Sequence, residues 1–366
     1  MERGLYIHIP FCKSKCLYCD FCSYSGSENL MMDYSRSLAE EISNIGECRI
    51  KTIFIGGGTP TYLSLEAWEP VAKSISRINK AENLEFTIEG NPGTFTRQKL
   101  EYFRSMGINR LSIGLQAAQN RLLKALGRIH SIEEFVEGYN MARSLGFDNI
   151  NIDIMFALPD QTLKDWQETL EFVTGLQPEH ISAYSLIIEE GTEFYKKYNE
   201  GKLELPDEDL ERQMYSLALE QLKEKGYNHY EISNFAKPGK ECRHNLIYWD
   251  LDEYIGCGAG AHSYKDGKRY SNSSSIEGYI SKNQREIHIN TLKDDMEEFM
   301  FMGLRKIQGI SIKKFNKKFK TDIFKVYGDV IARHSQNGLL ILKDDMLRLS
   351  SRGIEVSNFV MCDFIL

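Results

Sequence analysis

Proline is scarce in this sequence, and no residue type is abundant enough to mark a fibrous or disordered chain. The 366 residues include 8 Pro and 28 Gly, and 42% of them are hydrophobic. Collagen, Pro-rich linkers and low-complexity disorder are excluded, because each needs a strong compositional bias. The length exceeds what one hydrophobic core usually holds, so we expect about two domains, of which one can dominate.

An excess of positive charge is also missing. Lys and Arg total 45 against 52 Asp and Glu, which gives a formal net charge of −7. A chain with this balance has no general attraction to a phosphate backbone. We therefore do not expect nucleic acid as a partner.

Long hydrophobic runs are absent as well. No apolar stretch approaches the about 20 residues that a bilayer-spanning helix needs, and the segment from Met1 to Cys12 lacks an apolar core and a small-residue cleavage site. These features predict a cytoplasmic protein that starts near Met1 and has no transmembrane segment.

The cysteines are few, and half of them crowd into one short segment. Cys12, Cys16, Cys19 and Cys22 lie close together, while the other four of the 8 Cys are scattered. Such crowding favours metal binding over disulfides. The CxxxCxxC run can hold an iron-sulfur cluster with one iron left open, or a zinc ion, and the cysteines can also be incidental core residues.

Apolar stretches alternate with amphipathic segments up to about residue 190. Thr96 is a predicted N-cap, and Gly107 is the predicted stop of the helix that it begins. Six such β/α units predict a parallel sheet, either doubly wound or curled toward a barrel. The predicted strands are Leu5 to Ile9, Thr52 to Ile55, Leu84 to Glu89, Arg110 to Leu115, Asn149 to Phe156 and His180 to Ile188.

The loops that follow these strands carry most of the residues that could bind a ligand or take part in a reaction. In either sheet architecture, the loops at the carboxyl ends of the strands form the functional face. The cysteine cluster, Gly56 to Thr61, Glu89 to Pro92, Gln116 and Leu158 to Gln161 all follow predicted strands. We therefore expect these segments to meet in one site.

The pattern changes beyond residue 190. We predict a long helix over Asp207 to Lys225, a strand near His229 to Ile232 and a final hairpin over Leu339 to Leu349. Between them lie the dense segment Cys242 to Trp249 and the Gly-rich segment Ile255 to His262. A small C-terminal domain is expected from about residue 290.

The cysteine spacing resembles the hallmark of the radical S-adenosylmethionine (SAM) superfamily. Over essentially the whole chain, the sequence is similar to the HemW-type heme chaperones, which are relatives of the oxygen-independent coproporphyrinogen oxidases. The matching segments are Tyr6 to Cys12, Gly56 to Thr61, Ile152 to Asp153, Tyr230 to Phe235 and His244 to Trp249.

This resemblance implies an α/β fold in three parts. It implies a partial TIM-like (β/α)6 radical SAM barrel over residues 1–235 and a connecting region with the HNxxYW motif over residues 236–289. A small α+β domain of winged-helix type is expected over residues 290–366.

The resemblance also implies the cofactors. A four-iron, four-sulfur cluster is expected on Cys12, Cys16 and Cys19, with the amine and carboxylate of SAM chelating the open iron. The residues that match SAM-lining positions of the oxidase relatives are Tyr6, Tyr18, Gly57, Gly58, Thr59, Glu89, Gln116, Arg128 and Asp153.

Each of these residues also has an ordinary structural explanation. The glycines let backbone approach a ligand closely, but they can equally form a turn that ends a strand. Glu89 and Asp153 can accept hydrogen bonds from an ammonium or ribose group, or they can be solvated carboxylates. Arg128 can pair with a carboxylate or lie on a helix surface.

The segment His244 to Trp249 combines a candidate iron ligand with two large aromatic surfaces. Ordinary core packing would suit the same residues. Within the resemblance, HNxxYW distinguishes the chaperones from the oxidases, which implies heme binding at His244. His262 and Cys242 are weaker ligand candidates.

Two features depart from the oxidase pattern. Position 21 is Phe where the oxidase motif has a fourth cysteine, and the N-terminal extension that covers the oxidase substrate is missing before Cys12. We therefore predict a chaperone that binds heme or porphyrin and transfers it to an acceptor protein, for example a respiratory one, with homodimerisation left open. The alternative is a SAM radical oxidase that decarboxylates porphyrinogen propionates, and a zinc-stabilised barrel is a third hypothesis.

Overall fold

The computed structural model describes residues 2–283 and 285–365. Within them the strands form one large sheet and one small sheet. The strands are β1 (Glu2–Ile9), β2 (Arg49–Gly57), β3 (Lys80–Gly90), β4 (Arg110–Gln116), β5 (Ile150–Phe156), β6 (His180–Ser185), β7 (Asn228–Glu231), β8 (Asn234–Ala236), β9 (Tyr254–Cys257), β10 (His262–Lys265), β11 (Lys268–Ser271), β12 (Glu286–Ile289), β13 (Ile310–Ser311), β14 (Leu340–Lys343) and β15 (Met346–Leu349).

Helices connect the parallel strands, and most of them begin at a Ser, Thr or Asp whose side chain accepts a backbone N–H. Such caps satisfy donors that the first helical turn leaves free. The helices are α1 (Met31–Ser43), α2 (Leu65–Ser76), α3 (Arg97–Ser105), α4 (Asn120–Ala125), α5 (Ile132–Ser144), α6 (Leu163–Gly175), α7 (Glu193–Asn199), α8 (Glu208–Glu224), α9 (Arg243–Trp249), α10 (Ile276–Ile280), α11 (Leu292–Gly303), α12 (Ile312–Phe319), α13 (Ile323–Gln336), α14 (Ser351–Glu355) and α15 (Ser357–Cys362).

The large sheet has the strand order β12-β11-β10-β9-β1-β2-β3-β4-β5-β6-β8-β7. Strands β1 to β6 are parallel and lie side by side in chain order. Because every crossover joins neighbouring strands in the same direction, the helices cover one face, as in a barrel and unlike a doubly wound sheet. The predicted α/β barrel class is confirmed.

All six predicted parallel strands are confirmed, with ends that differ by a few residues. Thr96 accepts the N–H of Lys99 as the predicted N-cap of α3, and Gly107 adopts a positive φ of 92° after the helix. The predicted long helix corresponds to α8, and the final hairpin is formed by β14 and β15.

The Gly-rich segment after residue 254 does more than connect two domains. Strand β9 pairs with β1 in parallel, and β10 to β12 continue the same sheet in antiparallel fashion. The connecting region therefore extends the barrel sheet beyond β1. The division at residues 235 and 289 stays a prediction, and β8 crosses the first of these two positions.

The C-terminal part contains α11 to α15 and a small antiparallel sheet in the order β13-β15-β14. Its buried residues, such as Phe315 and Tyr327, form one apolar cluster with Ile247 and Tyr254 from the connecting region. This packing holds the small domain against the first strand edge of the barrel. None of the helices in the described residues has the length and apolar character required to cross a membrane.

Candidate functional site

The three cysteines of the CxxxCxxC motif lie in the loop after β1 and line one cavity of about 400 Å³, which we call the cysteine cavity. Cys12 is buried, whereas Cys16 and Cys19 are half-buried. The Cys19 N–H donates to the Cys16 carbonyl at 3.2 Å, which forms a turn between the second and third thiols. The Cys12 N–H donates to the Tyr24 carbonyl at 2.9 Å and fixes the other end of the loop.

Strand β2 ends in glycines because its backbone passes directly against the cysteine loop. A Cβ on Gly58 would lie 2.8 Å from the Phe11 carbonyl oxygen and 3.0 Å from Cys12 Sγ. The next residue, Thr59, donates its N–H to the Phe11 carbonyl at 2.8 Å and has its Oγ1 3.5 Å from Cys12 Sγ. Gly57 has a positive φ of 112°, a conformation that favours glycine.

Two half-buried carboxyl groups, those of Glu89 and Asp153, line this cavity. Glu89 accepts the Gly57 N–H at 3.2 Å, and Asp153 accepts a hydrogen bond from Ser112 Oγ at 3.0 Å. Burial raises the pKa of Glu89 to about 8, and the nearby Asp153 carboxylate acts in the same direction. Burial also raises the pKa of Asp153. A cationic or hydroxyl-bearing ligand here would stabilise the charged forms of both groups.

Arg128 is a half-buried cation on the same cavity. Its Nη1 donates to Asn91 Oδ1 and its Nη2 to Tyr18 Oη, both at 2.8 Å. Burial raises the pKa of Tyr18 to about 12, although the Arg128 charge acts in the opposite direction. Arg128 Nε is buried without a hydrogen-bond partner in the described residues. Because Arg128 lines the cavity, its positive charge is suited to a carboxylate ligand.

Gln116 and Asn91 complete the cavity from neighbouring loops. Gln116 ends β4 with a positive φ of 74°, and a Cβ on Gly114 would lie 2.8 Å from its Nε2. Asn91 donates to Thr59 Oγ1 at 2.8 Å while it accepts from Arg128. The sequence predicted the loop that contains Asn91 but not the residue itself, because its partners come from two other loops.

Most of the predicted SAM residues line the cysteine cavity. Thr59 instead contacts the cluster cysteine Cys12, and Tyr6 lines a neighbouring cavity. The SAM roles of all these residues stay predictions. The predicted residues that line the cysteine cavity are Tyr18, Gly57, Gly58, Glu89, Gln116, Arg128 and Asp153.

The donor set suits an iron-sulfur cluster better than one metal ion. Among the residues that the structure describes, no three His, Cys, Asp or Glu side chains are grouped as one metal ion would require. A zinc ion holds its thiolates at only about 2.3 Å, whereas thiols spread around a cavity suit a larger inorganic centre. Burial raises the pKa of Cys12 and of Cys19, and bonding to iron would supply the charge that ionises these thiols.

Cys22 points away from the three cluster cysteines. Its Sγ donates to the Ser274 carbonyl at 3.1 Å, and a Cβ on Gly260 would lie 2.8 Å from the same sulfur. This packing supports the expectation that Cys22 is not a cluster ligand.

A second cavity of about 410 Å³, which we call the aromatic cavity, adjoins the first. Phe21, Gly57 and Glu89 line both cavities and separate them. The Phe21 side chain is 63% exposed although it is large and apolar. The other lining residues of the aromatic cavity are Tyr6, His8, Cys22, Tyr248, Tyr254, Gly260 and His262.

His244 is a buried residue of α9, with 1% of its surface exposed. Its Nδ1 lies 2.8 Å from Thr52 Oγ1, and its Nε2 lies 2.8 Å from Tyr248 Oη. Burial lowers the pKa of His244 to about 3, so the ring is neutral. Ligation of heme iron would require one ring nitrogen to leave its present partner. The heme role of His244 therefore stays a prediction that this geometry does not favour.

The comparison with known proteins decides the family. The chain matches the radical SAM superfamily over residues 6–173 and the HemN C-terminal domain over residues 290–356. It is 38% identical to the heme chaperone HemW of Bacillus subtilis (strain 168) over 375 residues, which cover 99% of both chains. The chain belongs to the HemW family of heme chaperones. The HemW of Lactococcus lactis is also 38% identical, over 100% of this chain and 97% of the relative.

The HemW family shares its fold with a solved oxidase structure. The coproporphyrinogen III oxidase HemN of Escherichia coli is similar with a TM-score of 0.86 and 20% identity, over 99% of this chain and 89% of that chain. This likeness supports the fold alone. Membership in the radical SAM superfamily implies a four-iron, four-sulfur cluster and SAM as cofactors.

Proposed function

We propose that this chain is a heme chaperone that holds a four-iron, four-sulfur cluster on Cys12, Cys16 and Cys19, binds SAM beside it, and carries heme to an acceptor protein. The observation that carries the proposal is the cysteine cavity, which is lined by three thiols together with Arg128, Glu89 and Asp153. The full-length similarity to HemW proteins supports heme as the cargo.

The cavity residues have distinct tasks in this proposal. When bound, the cluster supplies an open iron that the amine and carboxylate of SAM can chelate. The Arg128 guanidinium would attract the SAM carboxylate by its charge, and Glu89 and Asp153 would accept from the ammonium or ribose hydroxyl groups of SAM. The Gly57 and Gly58 backbone leaves room for the ligand, because neither residue has a Cβ.

Anaerobic reconstitution tests the cluster. With iron and sulfide, the wild type should turn brown and bind about four irons per chain. Cys19→Ser should lose the visible absorbance, whereas the matched variant Cys22→Ser should retain the iron because its sulfur faces Ser274. One bound zinc without visible absorbance, or a loss of iron in Cys22→Ser, would contradict the proposed ligand set.

Transfer of heme tests the cargo. The reconstituted protein should bind heme. After incubation with a heme-free acceptor protein of different size, the two proteins are separated by size, and the heme should be found with the acceptor. Absorbance of each fraction measures the transfer. If the protein binds no heme at stoichiometric concentrations, the chaperone proposal fails.

A porphyrinogen oxidase is the second candidate, and it is favoured by the three CxxxCxxC cysteines on the fold of HemN. The reconstituted protein is incubated anaerobically with SAM, a reductant and coproporphyrinogen. A chaperone should form no protoporphyrinogen. Formation of protoporphyrinogen with release of carbon dioxide would replace the chaperone proposal by the oxidase.

A further inference from the structure

The aromatic cavity is bordered by three neighbouring strands of the large sheet. Strand β9 pairs with β1 on one side and with β10 on the other. Tyr6 and His8 of β1, Tyr254 of β9 and His262 of β10 all line the cavity. The extension of the sheet beyond β1 therefore builds this cavity directly beside the cysteine cavity.

Aromatic side chains give the cavity large, flat apolar surfaces. Tyr248 of α9 packs edge-on against Tyr254, with ring centroids 4.7 Å apart and an interplanar angle of 83°. Phe21 adds an exposed apolar ring at the border with the cysteine cavity. The volume of about 410 Å³ falls in the range of about 300 to 1,000 Å³ that small-molecule sites occupy. A flat aromatic macrocycle matches these surfaces.

The histidines near this cavity differ in whether a ring nitrogen is free. His8 has its Nδ1 2.9 Å from Tyr6 Oη and its Nε2 2.7 Å from the Cys22 carbonyl. His244 is likewise held at both nitrogens. His262 is exposed, and within residues 2–283 and 285–365 its ring has no hydrogen-bond partner. An imidazole with a free nitrogen is the form that ligates iron.

We propose that the aromatic cavity is the heme site and that His262 ligates the heme iron there, with Tyr248 and Tyr254 flanking the porphyrin. This inference rests on the proposed function and names the site and the ligand for its cargo. His244 is then a positioning residue, because its Nε2 holds the Tyr248 hydroxyl at 2.8 Å.

Cys22 is another side chain of this cavity able to bind heme iron. Its Sγ is directed at the Ser274 carbonyl, 3.1 Å away, and lies 3.9 Å from the Ala259 carbonyl. His262 has no such competing contact in the described residues. An exposed iron ligand such as His262 also suits a protein that releases heme, because heme can leave the cavity without unfolding of the surrounding structure.

Heme titration of the full chain tests the ligand. Wild type should give the absorbance and electron paramagnetic resonance signature of imidazole-ligated heme. His262→Ala should lose this signature and bind heme about tenfold or more weakly, and added imidazole should restore the signature. The matched control His288→Ala, which removes an exposed histidine of β12, should behave as wild type.

Further variants distinguish the contribution of the cavity walls to binding from that of the iron ligand. Metal-free protoporphyrin IX should bind to His262→Ala as to wild type, whereas Phe21→Ala should weaken binding of both protoporphyrin and heme. His244→Gln should keep the imidazole signature and loosen the binding of both compounds, as expected of a residue that positions Tyr248.

The outcomes distinguish this inference from the proposed function. Wild type that binds heme while His262→Ala keeps an unchanged imidazole signature would overturn the inference and leave the chaperone function intact. Loss of the imidazole signature in His244→Gln alone, or a thiolate signature that disappears in Cys22→Ser, would also overturn it. Wild type without heme would defeat the proposed function itself.

Discussion

The fold changes the charge state of Glu89 by raising its pKa. Glu89 is half-buried at the border of the two cavities, and one hydrogen bond from Gly57 does not offset the water that its carboxyl group loses. Burial raises its pKa from an ordinary value of 4.5 to about 8. In the protein without ligands, Glu89 therefore carries a proton at neutral pH.

The contribution of Glu89 to the stability of the cluster-free protein should fall as the pH rises from about 5 to 8. Between the ordinary pKa of 4.5 and the folded value of about 8, the folded state binds more protons at Glu89 than the unfolded state, so raising the pH favours unfolding. The contribution can reach about 1.4 kcal/mol per pH unit. Thermal unfolding at several pH values, under reducing conditions, measures the effect.

Glu89→Gln provides the control, because glutamine stays neutral at every pH. We expect the variant to lose part of the pH dependence, so that its stability relative to wild type increases with pH. Parallel pH profiles for the two proteins would show that Glu89 does not titrate in this range.

The sequence located single residues well where each follows a parallel strand. The cysteines, Glu89 and Asp153 meet because the carboxyl ends of parallel strands share one edge. The sequence could not predict the contact between His244 Nδ1 and Thr52, because Thr52 comes from a distant strand. The SAM role of Tyr6 stays a prediction, and the structure places Tyr6 on the aromatic cavity.

At the scale of elements, the contact between the end of β2 and the cysteine loop controls the cluster site. Gly58→Ala should displace this loop, because the new Cβ would meet the Phe11 carbonyl oxygen at 2.8 Å and Cys12 Sγ at 3.0 Å. Such overpacking costs about 1 to 3 kcal/mol. We expect less iron per chain after reconstitution and a lower melting temperature.

Gly175→Ala is the matched control, because nothing lies within 4 Å of a Cβ at the C-terminal end of α6. This variant should keep the wild-type iron content and stability. Equal iron content in Gly58→Ala and Gly175→Ala would mean that the β2 contact does not hold the loop.

The parallel strands were predictable as elements because each is an apolar run between turn signals. Strands β9 to β12 were not, since each has four residues and the first two adjoin a glycine-rich turn. Only pairing with β1 makes this segment part of the barrel sheet. Helix α9 is also short, with 7 residues, and it is held by contacts with β2 and α11 rather than by its own pattern.

At the scale of the whole molecule, Arg305 joins the C-terminal part to the last strands of the barrel sheet. Its guanidinium lies 3.8 Å from the buried Glu231 carboxylate and 4.6 Å from the Trp249 ring. The Arg305 carbonyl also accepts the Ile232 N–H at 3.1 Å. A buried carboxylate with its cation removed is costly, because no water replaces the partner.

Arg305→Ala should therefore destabilise the protein by about 2 to 4 kcal/mol. Denaturant unfolding of the full chain measures the change. Arg212→Ala removes an arginine of α8 whose acidic partners are exposed, and it should change stability little. A similarly small effect of both substitutions would show that the Glu231 pair does not join the two parts.

The partition of Phe21, Gly57 and Glu89 is one layer of residues thick. If a ligand in one cavity moves these three residues, the shape or charge of the other cavity changes as well. If a ligand in one cavity changes the affinity of the other cavity by some factor, the second ligand changes the affinity of the first cavity by the same factor. Binding of heme in the aromatic cavity and binding of SAM in the cysteine cavity would then be coupled through Phe21, Gly57 and Glu89.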